Sequence, residues 1–291
     1  MTFTVLDTGP AMREILHAAE QDRADLLRTA LEPAAGLYRF YPGEPDLIRM
    51  HRMGPGFPLD RDVDLSLDGL RRLEEANAWE RIGDALRRAA TLLERADPGL
   101  QVPDATVLLV LGHPTDEFFH DVNLGMTANG SMPGYLYLNV WPSPENLARL
   151  EATAVHELNH NARYAPGNVV WDPATVTVGE YVVSEGLADA FARELYGDEL
   201  GRTRIGVPLA DDDEVFRRVL TGLDVTGMQN FSAWVFGDAH AARFGGEPVG
   251  LPTGAGYAAG NRLVDTYLAQ TGRTASECLL APAAEVIAAS V

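Results

Sequence analysis

Residues 144–164 read PENLARLEATAVHELNHNARY, and inside them Val155-His156-Glu157-Leu158-Asn159-His160 sets two of the chain's seven histidines four positions apart. Leu147, Leu150, Ala154 and Leu158 recur at helical spacing, Ser143 can cap the segment and Pro144 fits its first turn, so the stretch predicts a helix. On a helix, residues four apart project from one face, which lets His156 and His160 place imidazole nitrogens on a single ion. Glu157 is turned about 100° around the axis, beside such an ion rather than on it. That is where a base must stand to take a proton from an activated water.

A histidine pair alone is incomplete, because a hydrolytic zinc site takes three protein ligands and keeps the fourth position open. Two candidates lie downstream in TVTVGEYVVSEGLADAFARELYG, a second predicted helix ended by Gly197. Glu180 fits a capping box opened by Thr177, which gives it a structural task. Glu185 is followed one turn later by Asp189, and a ligand histidine usually donates its second N–H to a carboxylate or carbonyl. Glu185 is therefore the expected third ligand and Asp189 its supporting carboxylate, with Glu180 the alternative. Nitrogen ligands favour Zn²⁺ over magnesium or calcium.

The rest of the chain sets the frame. Of 291 residues, 46% are hydrophobic and 22% charged, the composition of a folded globular protein. Forty-two acidic against 23 basic residues leave a net charge of −19. Such a surface repels phosphate backbones, so no nucleic-acid partner is expected. No apolar run is long enough for a membrane span, and the N-terminus lacks the apolar stretch of a signal peptide, so a cytoplasmic location is expected. The single cysteine, Cys278, cannot form an intramolecular disulfide and reads as a small buried hydrophobe.

Helix is expected from about Thr8 to Leu31, a turn-rich stretch over 40–64, and one long or two short amphipathic helices over 65–100. The period then changes. Residues 106–111 and 135–140 read as strands separated by the Gly-rich GMTANGSMPG, and helices return from Pro144. An N-terminal helical portion, 1–100, thus precedes a mixed portion, 101–291, and the fold class expected is α+β.

HELNH followed by SEGLAD resembles the gluzincin metallopeptidases, thermolysin-like zinc enzymes with an H-E-x-x-H helix and a second helix carrying E-x-x-x-D. More narrowly, the chain is similar to a family of predicted zinc-dependent proteases whose histidine motif precedes S-E-G-L-A and, later, a glycine-tyrosine-glycine segment; here that segment is Gly256-Tyr257-Ala258-Ala259-Gly260. The likeness spans about residues 100–275. It implies a zincin-like metallopeptidase domain over 101–291, with a small mixed sheet and an active-site helix pair. It also implies Zn²⁺ on His156, His160 and Glu185, Glu157 as general base, Asp189 behind the ligands, and a peptide or protein substrate. The 25 positions between His160 and Glu185 exceed the thermolysin spacing, which Glu180 approaches more closely. By the same likeness the segment GYLYLNVWP could be an edge strand that pairs with substrate, or a plain core strand. Tyr257 is a candidate donor to the oxyanion, with His240 its competitor. His113 and His120 lie in loop-like sequence and read as hydrogen-bonded histidines. A metal-binding module without catalysis is the alternative function.

Overall fold

The computed structural model describes residues 1–39 and 43–290; the first three residues of the turn-rich stretch, 40–42, lie outside them. The chain opens with a three-residue strand, β1 (Phe3–Val5), then helices α1 (Thr8–His17) and α2 (Glu20–Leu31), so the helix expected over 8–31 is divided at Ala18–Ala19. The turn-rich stretch holds a two-turn helix, α3 (Leu47–Met53), capped by the Asp46 carboxylate. Residues 63–96 form two helices, α4 (Val63–Glu75) and α5 (Ala78–Ala96), with Asn77 between them at φ 51. Leu70, Leu73, Ile82, Leu86 and Leu93 are fully buried, as their helical spacing requires.

Strands β2 (Ala105–Leu111), β3 (Met126–Asn129) and β4 (Tyr135–Val140) complete a four-stranded sheet of order β1-β2-β4-β3. The first two pairings are parallel and the last is antiparallel. β2 is apolar on both faces because both are covered, whereas β4 alternates Tyr135 and Tyr137 against buried Leu136 and Leu138. Together with the helices this is the α+β class expected. Of the two readings of GYLYLNVWP, the edge strand is corrected and the core strand holds: β4 is paired on both sides and offers no edge, while β3, inside the stretch read as a Gly-rich connection, is an outer strand. β3 has only four residues and no alternation of burial, so its pattern carries little signal.

The helix expected from Pro144 is also divided, into α6 (Pro144–Ala148) and α7 (Leu150–Arg163), with Arg149 between them at φ −102, ψ 0. Ser143 caps the first, its hydroxyl accepting from the Asn146 N–H at 3.2 Å. Helices α8 (Val178–Gly201, interrupted at Gly197), α9 (Asp213–Leu220), α10 (Phe231–Trp234), α11 (Asp238–Phe244), α12 (Ala255–Thr271) and α13 (Ala283–Ala288) follow. Gly197 (φ 78) ends the first part of α8 where the sequence placed its stop.

Contacts divide the chain into two units, Met1–Ala90 with Val102–Asn161, and Thr91–Gln101 with Ala162–Val291. The first holds the sheet and α1 to α4. In the second, α8 is buried on nearly all sides from Val178 to Ala192 and crosses α12 at two glycines. A Cβ on Gly186 would lie 2.2 Å from the Gly260 carbonyl oxygen, so only glycine lets the two backbones approach so closely. Among the described residues, no helix is long and apolar enough to cross a membrane.

Candidate metal centre

Helix α7 turns an unusual set of polar side chains inward. His156, Glu157, Asn159, His160 and Asn161 are all at most 7% exposed. The two histidine rings lie 4.8 Å apart at an interplanar angle of 76°, with their Nε2 atoms 3.0 Å from one another. Two nitrogens on one tetrahedral zinc, each at about 2.0–2.1 Å, stand roughly 3.3 Å apart. The imidazole pair therefore already has close to the separation of two ligands of one ion. Glu185, 2% exposed, completes a buried trio in which one ligand atom from each residue lies within 4.8 Å of the others. Two imidazoles and a carboxylate are a donor set suited to zinc, and the group can hold a metal ion.

Glu180 is engaged elsewhere. Arg163, fully buried, donates from Nε and Nη2 to its two carboxylate oxygens at 2.8 and 3.0 Å, and the Tyr164 hydroxyl donates to Oε1 at 3.2 Å. Thr177 caps α8 as expected, accepting from the Glu180 N–H at 3.0 Å, but the Glu180 side chain serves this ion pair. The remaining guanidinium nitrogen, Nη1, donates to the carbonyls of Leu279 and Ala281 at 2.7 and 3.0 Å. Burial opposes the charge on Arg163, yet the adjacent Glu180 carboxylate outweighs it and holds the guanidinium above its usual range. Burial and the same carboxylate push the Tyr164 phenol upward.

Asp189 is fully buried one turn beyond Glu185. Its Oδ2 accepts from the Thr203 N–H at 3.0 Å and from Asn261 Nδ2 at 2.7 Å, and its Oδ1 accepts from the Thr203 hydroxyl at 2.8 Å. Tyr257, 9% exposed in the first turn of α12, lies in an aromatic cluster with Phe236, 5.9 Å between centroids. His240 belongs to the same cluster, 5.3 Å from Phe236. Burial lowers its pKa to about 4, against a hydrogen bond from the ring to the Phe236 carbonyl that raises it, so the ring is neutral near pH 7. His120 Nε2 is 2.9 Å from the His113 carbonyl and the Thr115 N–H donates to His113 Nδ1 at 3.2 Å, so this second pair is hydrogen-bonded as read.

One residue here carried no sequence signal. Asn161, fully buried beside His160, donates from Nδ2 to the carbonyls of Gly130, Met132 and Tyr135 at 2.8–2.9 Å and accepts from the Gly134 N–H at 3.0 Å. It ties the connection between β3 and β4 to α7. β3 runs beside the same helix: the Thr153 hydroxyl meets Met126 Sδ at 3.1 Å, and a Cβ on Gly130 would lie 2.0 Å from the Glu157 carbonyl oxygen. No periodicity marks an asparagine whose four partners lie 26 to 31 positions away.

The uncharacterized protein YjfC of Bacillus subtilis (strain 168) is 28% identical over 304 aligned positions, covering 99% of this chain and 97% of that protein. No solved structure matches the chain. Residues 78–288, well over half of the chain, match the family described as predicted Zn-dependent protease (DUF2268), and the chain belongs to that family.

Proposed function

We propose that the protein is a zinc-dependent peptidase of the gluzincin type. The buried His156–His160–Glu185 trio is the observation that carries this reading, because three metal-ligating side chains of the right chemistry converge away from bulk water. Zinc held there supplies a Lewis acid that lowers the pKa of a water and polarises the scissile carbonyl. Glu157, buried beside His156 on α7, takes the proton of the attacking water and passes it to the leaving amine nitrogen. Asp189 orients a ligand histidine by accepting its outer N–H. Tyr257 donates its phenolic proton in a hydrogen bond to the oxyanion. His240, in the same aromatic cluster, is the competing donor. The substrate is a peptide or protein segment in extended form. β3 is the strand that could receive it, since its outer edge has no strand partner among the described residues and its end reaches the Glu157 backbone.

The test combines metal content with hydrolysis of an unstructured protein such as casein. Wild-type protein purified without chelator should carry one zinc per chain and cleave. Glu157→Gln should keep the zinc and lose roughly 10²- to 10⁴-fold in turnover, because an amide cannot accept the proton. Glu185→Ala should lose the zinc itself. Undiminished turnover in Glu157→Gln, or full zinc retention in Glu185→Ala, refutes the assignment; zinc binding with no cleavage by the wild type leaves a metal-binding module without catalysis.

A further inference from the structure

Asn261 follows the Gly-Tyr-x-x-Gly segment directly, and its buried side chain is fixed at both ends. Arg202 Nη1 donates to its Oδ1 at 3.2 Å, while its Nδ2 donates to Asp189 Oδ2 at 2.7 Å and to the Tyr257 carbonyl at 2.9 Å. Arg202 has no acceptor atom, so it can face only the amide oxygen, and this sets which way the amide points. The Asp189 carboxylate thereby receives donors on both oxygens, from Asn261 on α12 and from the backbone and hydroxyl of Thr203. What lets α12 come so near is the glycine crossing. Gly186 immediately follows Glu185, Gly260 immediately precedes Asn261, and each would drive a Cβ to within 2.2 Å of a backbone carbonyl oxygen of the other helix.

We infer that Asn261, assisted by Thr203, is a positioning residue of the metal centre: it holds the Asp189 carboxylate in place one turn beyond Glu185, through a helix crossing that the two motif glycines permit. The inference rests on the peptidase reading, in which Asp189 orients a ligand histidine. A carboxylate held by one partner can rotate, and a rotating carboxylate cannot fix a ring. Three donors spread over both oxygens remove that freedom. The two short motifs, Ser-Glu-Gly-Leu-Ala-Asp and Gly-Tyr-Ala-Ala-Gly-Asn, are thus two halves of one contact.

The experiment measures zinc affinity of the folded full-length protein by competition with a chromogenic chelator, alongside the unfolding midpoint of each apo-protein. Asn261→Ala should weaken zinc binding roughly 10- to 100-fold, as expected for removal of an orienting partner. Thr203→Val, which deletes only the hydroxyl donor and leaves the backbone N–H, should weaken it roughly fivefold and guards against a poorly folded Asn261 variant. Glu194→Ala is the control: on the same helix, Glu194 accepts from the N–H and hydroxyl of Ser276 at 2.9 and 2.8 Å, so its loss should lower the midpoint and leave zinc affinity unchanged. Wild-type affinity in both folded Asn261→Ala and Thr203→Val overturns the inference, as does an equal loss of affinity in Glu194→Ala, which would mean that any loosening of α8 suffices. Wild-type protein that takes up no zinc overturns the peptidase reading and this inference with it.

Discussion

Replacing Glu180 by alanine should damage the fold and spare the metal. The carboxylate is 14% exposed and its partner Arg163 is fully buried, so removing the acid strands a guanidinium away from water. Breaking a buried pair from one side costs about 3–5 kcal/mol. Here the lower figure applies, because the carbonyls of Leu279 and Ala281 still accept from Nη1 and water reaches the Glu180 position. With about 2 cal/mol/K of unfolding entropy per residue over 291 residues, a loss of ~3 kcal/mol lowers the thermal midpoint by about 5 °C. Glu180→Gln keeps the shape and one acceptor oxygen and should cost less, about 1–2 kcal/mol. Urea denaturation of the three proteins, with zinc content measured on each folded form, gives both readouts. A loss under about 1 kcal/mol in Glu180→Ala would refute the assignment of a buried ion pair. Normal stability combined with loss of zinc would transfer the third-ligand role from Glu185 to Glu180.

Two further outcomes follow from burial and from close packing. His51, buried with its Nε2 2.8 Å from the Phe57 carbonyl, has its pKa lowered by burial from 6.5 to about 4. Below pH 6.5 the unfolded chain takes up a proton that the folded one refuses until about pH 4, so stability falls across that window by at most about 3 kcal/mol. His51→Gln keeps a donor for Phe57 and cannot charge; its stability should fall less steeply with pH, and parallel urea-midpoint curves for the two proteins would contradict this. Gly186→Ala should cost about 3 kcal/mol, since its Cβ meets backbone at 2.2 Å. Gly83→Ala in α5, whose Cβ would meet the flexible tip of Arg87 at 3.3 Å, should be neutral or gain up to about 1 kcal/mol. Destabilisation of both to the same degree would show that helix crossing is not what sets apart Gly186.

The parts of the fold that could be read along the chain are those whose cause is local. Helical spacing of leucines identified α4, α5 and α7, a β-branched apolar run identified β2, the Tyr- and Leu-rich run after the glycines identified β4, and Ser143 and Thr177 cap where their chemistry allows. The centre's histidine pair was legible for the same reason: a four-residue step on a helix puts His156 and His160 together before any tertiary contact forms. β1 and β3 were not, because three or four residues give too few alternations to register against loop. The breaks at Ala18–Ala19 and Arg149 were missed because apolar spacing continues across them.

Between Glu180 and Glu185 the sequence could state only a preference. Both glutamates lie on α8, and what separates them is the partner each finds. Glu180 meets Arg163 from 17 positions earlier, while Glu185 joins the histidine pair. Asn161 and Asn261 illustrate the same limit, one bound across 26 to 31 positions and the other joined to Asp189 across 72. Spacing on a helix is set by the backbone's own geometry, so sequence alone established which residues could serve as ligands. Which of them is used, and what holds it still, depends on partners brought together only by packing, whose distance along the chain no periodicity encodes.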